Sequence, residues 1–416
     1  MAAFPPGKTD CSPPASSAFI VRLLLAARAL RDIGDGFVAI VLPLYLVRLG
    51  HSPLAIALLV GAALFGSALL TLLVGFVGFR YEARTLLLMA AGLMVSTGVA
   101  LATADAYAVL LLVAFAGTVN PSGGSASPFV PVEHAVIARA TTDSARTGIF
   151  ARYSLVGGLA SAAGGALVGL PEALQRSGLS DVSALRAMFA LYALLGAGAL
   201  ALYARLPPSP SSAEVRRITP LGPSRAIVYR LAALFSLDAF AGGFAVQSLL
   251  ALWLFERFDL SLTTASAFFF WSGVLSSLSF PVAARLAARF GLINTMAFTH
   301  IPSSLCLIGA AFAPQAELAL ALLLARAALS QMDVPTRSSY VMSVVTEPER
   351  TAAASFTSVP RSLAASLSPA LAGALFPIAG GVVPLVLCGV LKIAYDALLL
   401  LQFRQVVPPE EKARSD

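Results

Sequence analysis

Four ionisable side chains lie inside the first long apolar run of this chain, which covers residues 19–47. A helical run of this length crosses a bilayer, since about 20 residues at ~1.5 Å each span the hydrocarbon core. Each charge costs roughly 2.5–3.5 kcal/mol to insert there. The spacing i, i+3, i+4, i+7 places Arg28, Arg31, Asp32 and Asp35 on one stripe. We predict ion pairs one turn apart, Arg28 with Asp32 and Arg31 with Asp35, and a polar cavity facing the stripe.

The rest of the chain has the composition of a polytopic membrane protein. Of its 416 residues, 58% are hydrophobic and only 12% are charged, whereas soluble domains carry about 25% charged residues. Apolar runs long enough to cross a bilayer fall into two groups of six, which we number spans 1 to 12. They cover residues 19–47, 54–78, 85–104, 107–138, 147–170 and 184–205, then 228–256, 262–284, 292–313, 316–343, 351–377 and 382–404.

The sequence therefore predicts an all-α membrane protein with twelve transmembrane helices in two pseudo-symmetric six-helix bundles. The bundles are residues 18–205 and 228–404, joined by a Pro-rich and Arg-rich linker at 206–227. Polar tails at 1–17 and 405–416 complete the chain.

The distribution of basic residues predicts the orientation of these helices. Connections on the side of the linker carry most of the arginines, and short basic connections stay in the cytoplasm. We expect both termini in the cytoplasm and the chain in the cell (inner) membrane. The net charge of +7 then reflects these connections rather than nucleic-acid binding. The arginines on this side include Arg80, Arg84, Arg139, Arg146, Arg216, Arg217, Arg285, Arg289 and Arg350.

The two halves also repeat each other in sequence. Residues 146–169 match 350–373 at an offset of 204, which aligns Arg146 with Arg350 and Gly169 with Gly373. The same offset makes Glu133 in span 4 equivalent to Arg337 in span 10. We therefore predict that these two residues approach each other across the pseudo-two-fold axis. Duplicated halves are typical of transporters whose site lies between the repeats near the midplane.

The connection after span 2 carries a short motif as well. Residues 75–84, GFVGFRYEAR, retain Gly75, Arg80 and Arg84 of the pattern G-x-x-x-D-R-x-G-R-R/K, and the second half retains Arg289-Phe290-Gly291. With the six-plus-six spans, the repeat and the linker, the chain resembles the major facilitator superfamily of secondary transporters, bacterial type, over about residues 18–404. The resemblance implies that the motif takes part in gating.

The resemblance also implies that spans 1, 4, 7 and 10 line a central cavity. Glu133 and Asp238 have apolar neighbours in sequence, so we predict that they carry protons more readily than the paired Asp32 and Asp35. Arg361 in span 11 is predicted to hold an anionic solute or, as the alternative, to pair with Asp333 or with backbone carbonyl groups. The candidate residues for the substrate or the coupling ion are Arg28, Arg31, Asp32, Asp35, Asn120, Glu133, Asp238, Gln247, Gln331, Asp333, Arg337, Tyr340 and Arg361.

These features predict a secondary active transporter that moves a small organic solute, anionic or zwitterionic, by alternating access with proton coupling. A drug/proton antiporter and, more remotely, a non-transporting receptor or sensor are the alternatives. No Walker-type phosphate loop, Gly-rich dinucleotide turn or metal-ligand spacing occurs in the sequence, so we predict neither an enzyme nor a cofactor or metal. The expected partners are the solute, the proton and lipid, with no nucleic acid, and the expected state is a monomer.

Overall fold

A computed structural model of the chain describes residues 15–77, 80–122, 127, 129–141, 143–208, 222–346 and 349–404. Within these ranges all regular structure is helical, which confirms the predicted all-α class. The helices of the first half are α1 (Ala15–Arg48), α2 (Pro53–Val77), α3 (Ala83–Thr103), α4 (Tyr107–Ala116), α5 (Phe129–Ala140), α6 (Asp143–Ala166), α7 (Leu170–Arg176) and α8 (Asp181–Tyr203).

The second half follows the same plan. Its helices are α9 (Arg225–Gly243), α10 (Gln247–Phe258), α11 (Leu262–Phe290), α12 (Leu292–Ala311), α13 (Ala316–Ser330), α14 (Asp333–Val344), α15 (Arg350–Leu375) and α16 (Val382–Phe403). Short 3₁₀ turns at Leu167–Gly169 and Ile378–Gly381 precede α7 and α16.

Three predicted spans are built from two helices each. Span 4 consists of α4 and α5, span 7 of α9 and α10, and span 10 of α13 and α14. Breaks inside a membrane are tolerated where the freed backbone groups line a cavity or find partners in protein. Interrupted helices of this kind commonly surround transporter binding sites.

Nine segments of the described chain are long and apolar enough to cross a membrane. Spans 1, 4 and 11 are helical but are not among the nine. Span 1 carries the charged stripe, span 4 is interrupted, and span 11 is rich in serine and alanine. A chain that crosses a membrane many times is established, and a total of twelve crossings remains a prediction.

The two halves pack against each other at one end of the helices. We call the end that carries residues 80–84, 204–208 and 404 the linker end, and the opposite end the far end. At the far end, Glu172 accepts hydrogen bonds from the Thr263 hydroxyl at 2.6 Å and its backbone N–H at 3.2 Å. Ser248 donates its hydroxyl to the Ala39 carbonyl oxygen at 2.6 Å. An added Cβ at Gly373 would lie 2.3 Å from the Ala57 Cβ.

Within the first half, α1 and α6 touch through their backbones. A Cβ atom at Gly36 would lie 2.1 Å from the Ser161 carbonyl oxygen, and one at Gly164 would lie 2.1 Å from the Ile33 carbonyl oxygen. Small residues allow this approach, which is the usual way for membrane helices to gain packing without a hydrophobic driving force. The contact fixes the rotation of α1 about its own axis and therefore the direction in which its charged stripe faces.

At the linker end, Glu349 joins the start of α15 to the start of α9. Its carboxylate accepts hydrogen bonds from the Ser224 hydroxyl at 2.6 Å, the Thr346 hydroxyl at 2.5 Å and the Gly222 backbone N–H. The hydrogen bonds from the Ser224 and Thr346 hydroxyls lower the pKa of Glu349 to about 2. The ionised form of Glu349 therefore stabilises the folded protein.

The close contact of α1 with α6 predicts a glycine-specific effect. We expect Gly164→Ala to destabilise the protein by roughly 1–3 kcal/mol, since the methyl group meets a backbone carbonyl that cannot move alone. Thermal unfolding in detergent measures this as a fall of several degrees. Gly148→Ala on the same helix is the control, because nothing lies within 4 Å of its added Cβ. Equal melting temperatures for the two variants would contradict the packing.

The lowered pKa of Glu349 predicts a pH dependence. In the unfolded chain the pKa of a glutamate is about 4.3. The contribution of Glu349 to the free energy of unfolding is therefore complete above that pH and is lost as pH falls towards about 2. We expect Glu349→Gln to melt below the wild type at pH 7, with the difference shrinking from pH 5 to pH 3. Glu82→Gln is the control, since Glu82 precedes α3 without a side-chain capping bond. A difference that stays constant with pH would contradict this role.

Candidate functional site

The charged stripe of α1 faces the interior of the first half. Arg31 and Asp32 are each only 1% exposed. The predicted pair of Arg28 with Asp32 is confirmed, with Nε and Oδ2 2.5 Å apart. Arg31 does not pair with Asp35. Its Nη2 instead lies 2.6 Å from Oε2 of Glu133 in α5, and its guanidinium lies 3.9 Å from the ring centroid of Phe129.

Glu133 is fully buried and fully engaged. Besides Arg31 it accepts hydrogen bonds from the Tyr203 hydroxyl at 2.7 Å and from the Tyr153 hydroxyl. Arg28 donates to the same Tyr153 oxygen at 3.1 Å, which connects the two ion pairs. The prediction that Glu133 sits in apolar surroundings is therefore wrong. We call Arg28, Arg31, Asp32, Glu133, Tyr153 and Tyr203 the first-half cluster.

Asp35 stands beside this cluster without a cation of its own. It is 5% exposed, and the Tyr192 hydroxyl donates to its Oδ1 at 3.4 Å. Among the described residues, no basic side chain lies within ion-pair distance of Asp35. The predicted Arg31–Asp35 pair fails because Arg31 is committed to Glu133.

Asp238 in α9 is also surrounded by cations. Nη1 of Arg337 lies 3.0 Å from one carboxylate oxygen of Asp238, and Nζ of Lys392 lies 2.6 Å from the other. Arg337 also pairs with Asp333 in the same helix at 2.8 Å. The prediction of apolar surroundings is therefore wrong for Asp238 as well.

Lys392 extends this network to His300 in α12 and Asp396 in α16. Its ammonium lies 3.2 Å from Nε2 of His300, and Nδ1 of His300 lies 3.1 Å from Asp396. Because the ammonium can only donate, Nε2 accepts, and Nδ1 carries the proton towards Asp396. We call Asp238, His300, Asp333, Arg337, Lys392 and Asp396 the second-half cluster.

The two clusters repeat one ion pair with reversed charges. Spans 1 and 4 contribute Arg31 and Glu133, and spans 7 and 10 contribute Asp238 and Arg337. The repeat offset of 204 relates Glu133 to Arg337. An offset of 207, the one that aligns Gly36-Phe37 with Gly243-Phe244, relates Arg31 to Asp238.

This arrangement corrects the predicted Glu133–Arg337 contact. The equivalence of the two positions in the repeat holds, but each side chain pairs with the first span of its own half. A buried charge that already has a close partner gains nothing by leaving it.

A cavity of about 320 Å³ opens in the wall of the second half, near the linker end. Helices α9, α14 and α15 line it, with Arg337 and Arg361 as its charged groups. Nε of Arg361 is buried without a hydrogen-bond acceptor, and no carboxylate of the described residues forms an ion pair with Arg361. The alternative prediction that Arg361 pairs with Asp333 is not met, because Asp333 binds Arg337. We call this space the linker-end cavity.

The other predicted site residues occupy varied positions. Asn120 is buried in the break between α4 and α5, where its Oδ1 accepts from the Ser122 hydroxyl at 2.6 Å. Gln247 begins α10 and Gln331 follows α13, both half-buried. Tyr340 is fully buried and packs edge-on against Phe403, so it belongs to the packed interior rather than to the cavity wall.

The motif residues lie at the linker end. Gly75 is in the last turn of α2, and Arg80 is exposed. Arg84 donates to the Ala204 carbonyl oxygen at 2.8 Å and so caps the end of α8. Arg289 lies over the Phe290 ring, and Gly291 joins α11 to α12 at a φ of +86°, which favours glycine. Phe79 lies outside the described residues. A gating role for the motif stays a prediction.

Sequence reasoning missed Lys392, His300 and Asp396. A signal was present, because Lys392 and Asp396 are one turn apart inside an apolar span, and intramembrane charges mark functional or structural polar sites. The tyrosines that serve Glu133 gave no comparable signal, since tyrosine is common in membrane helices for other reasons.

Pairing within each half predicts a definite pattern of coupling. Arg31→Met and Glu133→Leu should each destabilise the protein by about 3–5 kcal/mol, because each leaves a buried charge alone, and the double variant should lose far less. Glu133→Gln and Arg337→Gln should instead add within about 0.5 kcal/mol. Unfolding in detergent measures both cycles. Strong coupling between Glu133 and Arg337, with none between Arg31 and Glu133, would contradict pairing within each half and support the predicted contact of Glu133 with Arg337.

Known proteins resemble the chain over most of its length. The family model described as Major Facilitator Superfamily matches residues 24–331. An uncharacterized membrane protein of Saccharomyces cerevisiae, YJR124C, is 23% identical over 395 residues, covering 85% of this chain and 87% of its own.

Solved structures share the fold at low identity. A bacterial homolog to the human lysosomal transporter Spinster, inward-facing and occupied, has a TM-score of 0.74 at 16% identity, covering 94% of this chain and 98% of its own. A D-xylose–proton symporter has a TM-score of 0.73 at 17% identity, with the same coverage of 94% and 98%. The chain therefore belongs to the Major Facilitator Superfamily, a family of membrane transporters that are not enzymes.

Proposed function

We propose that this protein is a proton-coupled secondary transporter that moves a small organic solute, anionic or zwitterionic, by alternating access. The observation that carries the proposal is that two ionisable groups inside the helices form no ion pair with any described residue. Asp35 in the first half has no cation against it, and Arg361 in the second half has no carboxylate against it. The Asp35 carboxylate is suited to binding a proton, and the Arg361 guanidinium is suited to binding an anion.

The packing of the halves supports alternating access. Hydrogen bonds between the halves join them at the far end, through Glu172, Ser248 and Ser266. The cavity that holds Arg361 lies at the linker end. The arrangement fits a carrier whose solute site is reached from the linker side while the far side is closed.

The state of the acidic residues favours Asp35 as the proton carrier. Glu133, Asp238 and Asp32 each contact at least one cationic side chain. Burial disfavours a charged carboxylate that has no cation beside it, so Asp35 is the acid of the first half best suited to take up and release a proton. The Tyr192 hydroxyl can serve either form, as donor or as acceptor.

The runner-up is a drug/proton antiporter. That activity would use the same acid but needs an apolar, aromatic cavity. The linker-end cavity has three aliphatic side chains and a single aromatic ring, Phe235, but also two arginines and four hydroxyl groups. The remoter alternative, a receptor or sensor, gains no support from the described residues. The arginine-rich connections further support a position in the inner membrane with both termini in the cytoplasm, and we expect a monomer.

Transport in proteoliposomes tests the proposal. A panel of small organic acids, amino acids, nucleosides and sugars is offered with an imposed pH gradient. We expect the gradient to drive accumulation of an anionic or zwitterionic member. In Asp35→Asn, gradient-driven accumulation should fall at least tenfold, while exchange of labelled for unlabelled solute persists, because the solute site is intact.

Asp259→Asn is the matched control. Asp259 is exposed and lies in a left-handed backbone conformation that asparagine tolerates. Wild-type transport that ignores the pH gradient would defeat proton coupling. Full accumulation in Asp35→Asn would remove Asp35 from the role.

A further inference from the structure

Arg361 and Arg337 share one cavity but differ in their electrostatic state. Two carboxylates, Asp238 and Asp333, neutralise Arg337 at 3.0 and 2.8 Å. Asp238 is shared with Lys392, so neither acid has charge to spare for a second guanidinium. Arg361 adjoins this set with its Nε buried and without a hydrogen bond, and no described carboxylate forms an ion pair with it. Arg361 is therefore the guanidinium of the cavity that has no carboxylate against it among the described residues, and it is open to an anionic group.

The hydroxyl groups beside Arg361 have already used their protons. Thr357 donates to the Ala353 carbonyl oxygen at 2.8 Å, and Ser338 donates to the Val334 carbonyl oxygen at 3.2 Å. These hydroxyl oxygens can therefore act towards a solute only as hydrogen-bond acceptors. Thr357 precedes Arg361 by four residues in α15, so the two side chains lie on the same face, about 5–6 Å apart at their Cβ atoms. The cavity thus offers donors for an anion and, close by, acceptors for a donating group.

We propose that the linker-end cavity binds a small monocarboxylate that also bears a hydroxyl or ammonium group, with Arg361 as the residue that selects it. The planar guanidinium fork matches a carboxylate in a bidentate pair. The Thr357 and Ser338 oxygens accept from the second group. The cavity of about 320 Å³ is at the small end of ligand pockets, which span roughly 300–1,000 Å³. This assignment rests on the proposed transport function and specifies the solute for it.

A solute with one carboxylate matches the one arginine of the cavity that has no ion pair among the described residues. A dicarboxylate or a phosphate dianion would bring a second negative charge towards Asp333 and Asp238, which already balance Arg337. That repulsion disfavours dianions in a buried site. A large apolar cation would meet Arg361 with like charge.

The ligand-free protein should carry a cost at Arg361. Arg361 is half-buried, and its Nε is shielded from water without a hydrogen bond, which destabilises the fold, so Arg361→Met is expected to melt at the wild-type temperature or above it. Arg337→Met should melt several degrees lower, since it leaves Asp333 without a cation and Asp238 with Lys392 alone. The melting temperatures of the two variants without ligand thus distinguish Arg361, as a binding residue, from Arg337, as a structural one.

Thermal shift of purified protein in detergent supplies the binding test. The probes are lactate and serine, with succinate, inorganic phosphate and tetraphenylphosphonium for comparison. We expect lactate or serine to raise the wild-type melting temperature by several degrees. Arg361→Met should abolish this shift, and Arg361→Lys should weaken apparent affinity about tenfold, because an ammonium lacks the fork. Arg230→Met, an exposed position in α9, is the matched control and should bind as wild type.

Three results would overturn the assignment: stabilisation by succinate, phosphate or tetraphenylphosphonium in preference to the monocarboxylates, an unchanged ligand shift in Arg361→Met, or a fall in ligand-free melting temperature as large as that of Arg337→Met. Gel filtration of each variant reports folding. If another solute is transported with the pH gradient and this transport persists in Arg361→Met, the solute assignment is wrong and the proposed transport function stands. If a monocarboxylate binds but no solute is transported with the gradient, the proposed transport function is wrong and the binding assignment stands.

Discussion

The pairing of buried charges is the constraint on which the rest of this structure depends. Hydrocarbon gives no solvation to a guanidinium or a carboxylate, so a charge inside the helices is costly unless a counter-charge lies beside it. The chain solves this once in each half, between the first and fourth spans, as Arg31 with Glu133 and as Asp238 with Arg337. The breaks in spans 4, 7 and 10 lie close to these residues. In the first half, the close approach of α1 to α6 also fixes the direction in which Arg31 points.

Sequence reasoning found the fold and most of the charged residues, but not their partners. Helical spacing revealed that Arg31 has an acid one turn away, and the repeat revealed that Glu133 and Arg337 are equivalent. Which acid Arg31 binds depends on the rotation of α1 against α5, and that rotation is set by backbone contacts such as Gly36 with Ser161. Contacts of this kind have no signature in spacing. Equivalence in a repeat likewise does not imply contact, since symmetry-related residues meet only when they lie on the axis.

The same reasoning misjudged the acids because it counted only neighbours in sequence. Glu133 has apolar residues along α5, yet three other helices bring a guanidinium and two phenols to it. Asp35 has two arginines within two turns, yet neither turns towards it. Polarity of a membrane site is therefore a property of the bundle, and the sequence of one helix gives only part of it. The proposed proton and solute sites consequently fall in different halves, and any coupling between them must pass through the contact of the halves.

Ser248 shows what such coupling requires at the far end. Its hydroxyl donates to the Ala39 carbonyl oxygen, and its backbone N–H donates to the Pro121 carbonyl oxygen, so one residue at the start of α10 joins α1 and the break between α4 and α5 of the other half. Ser248 is fully buried. Separation of the halves there would deprive four polar groups of these hydrogen bonds at once, in a place that water does not reach. Hydration of this seam must accompany its parting, so the timing of exposure on that side is governed by the entry of solvent as much as by the motion of helices.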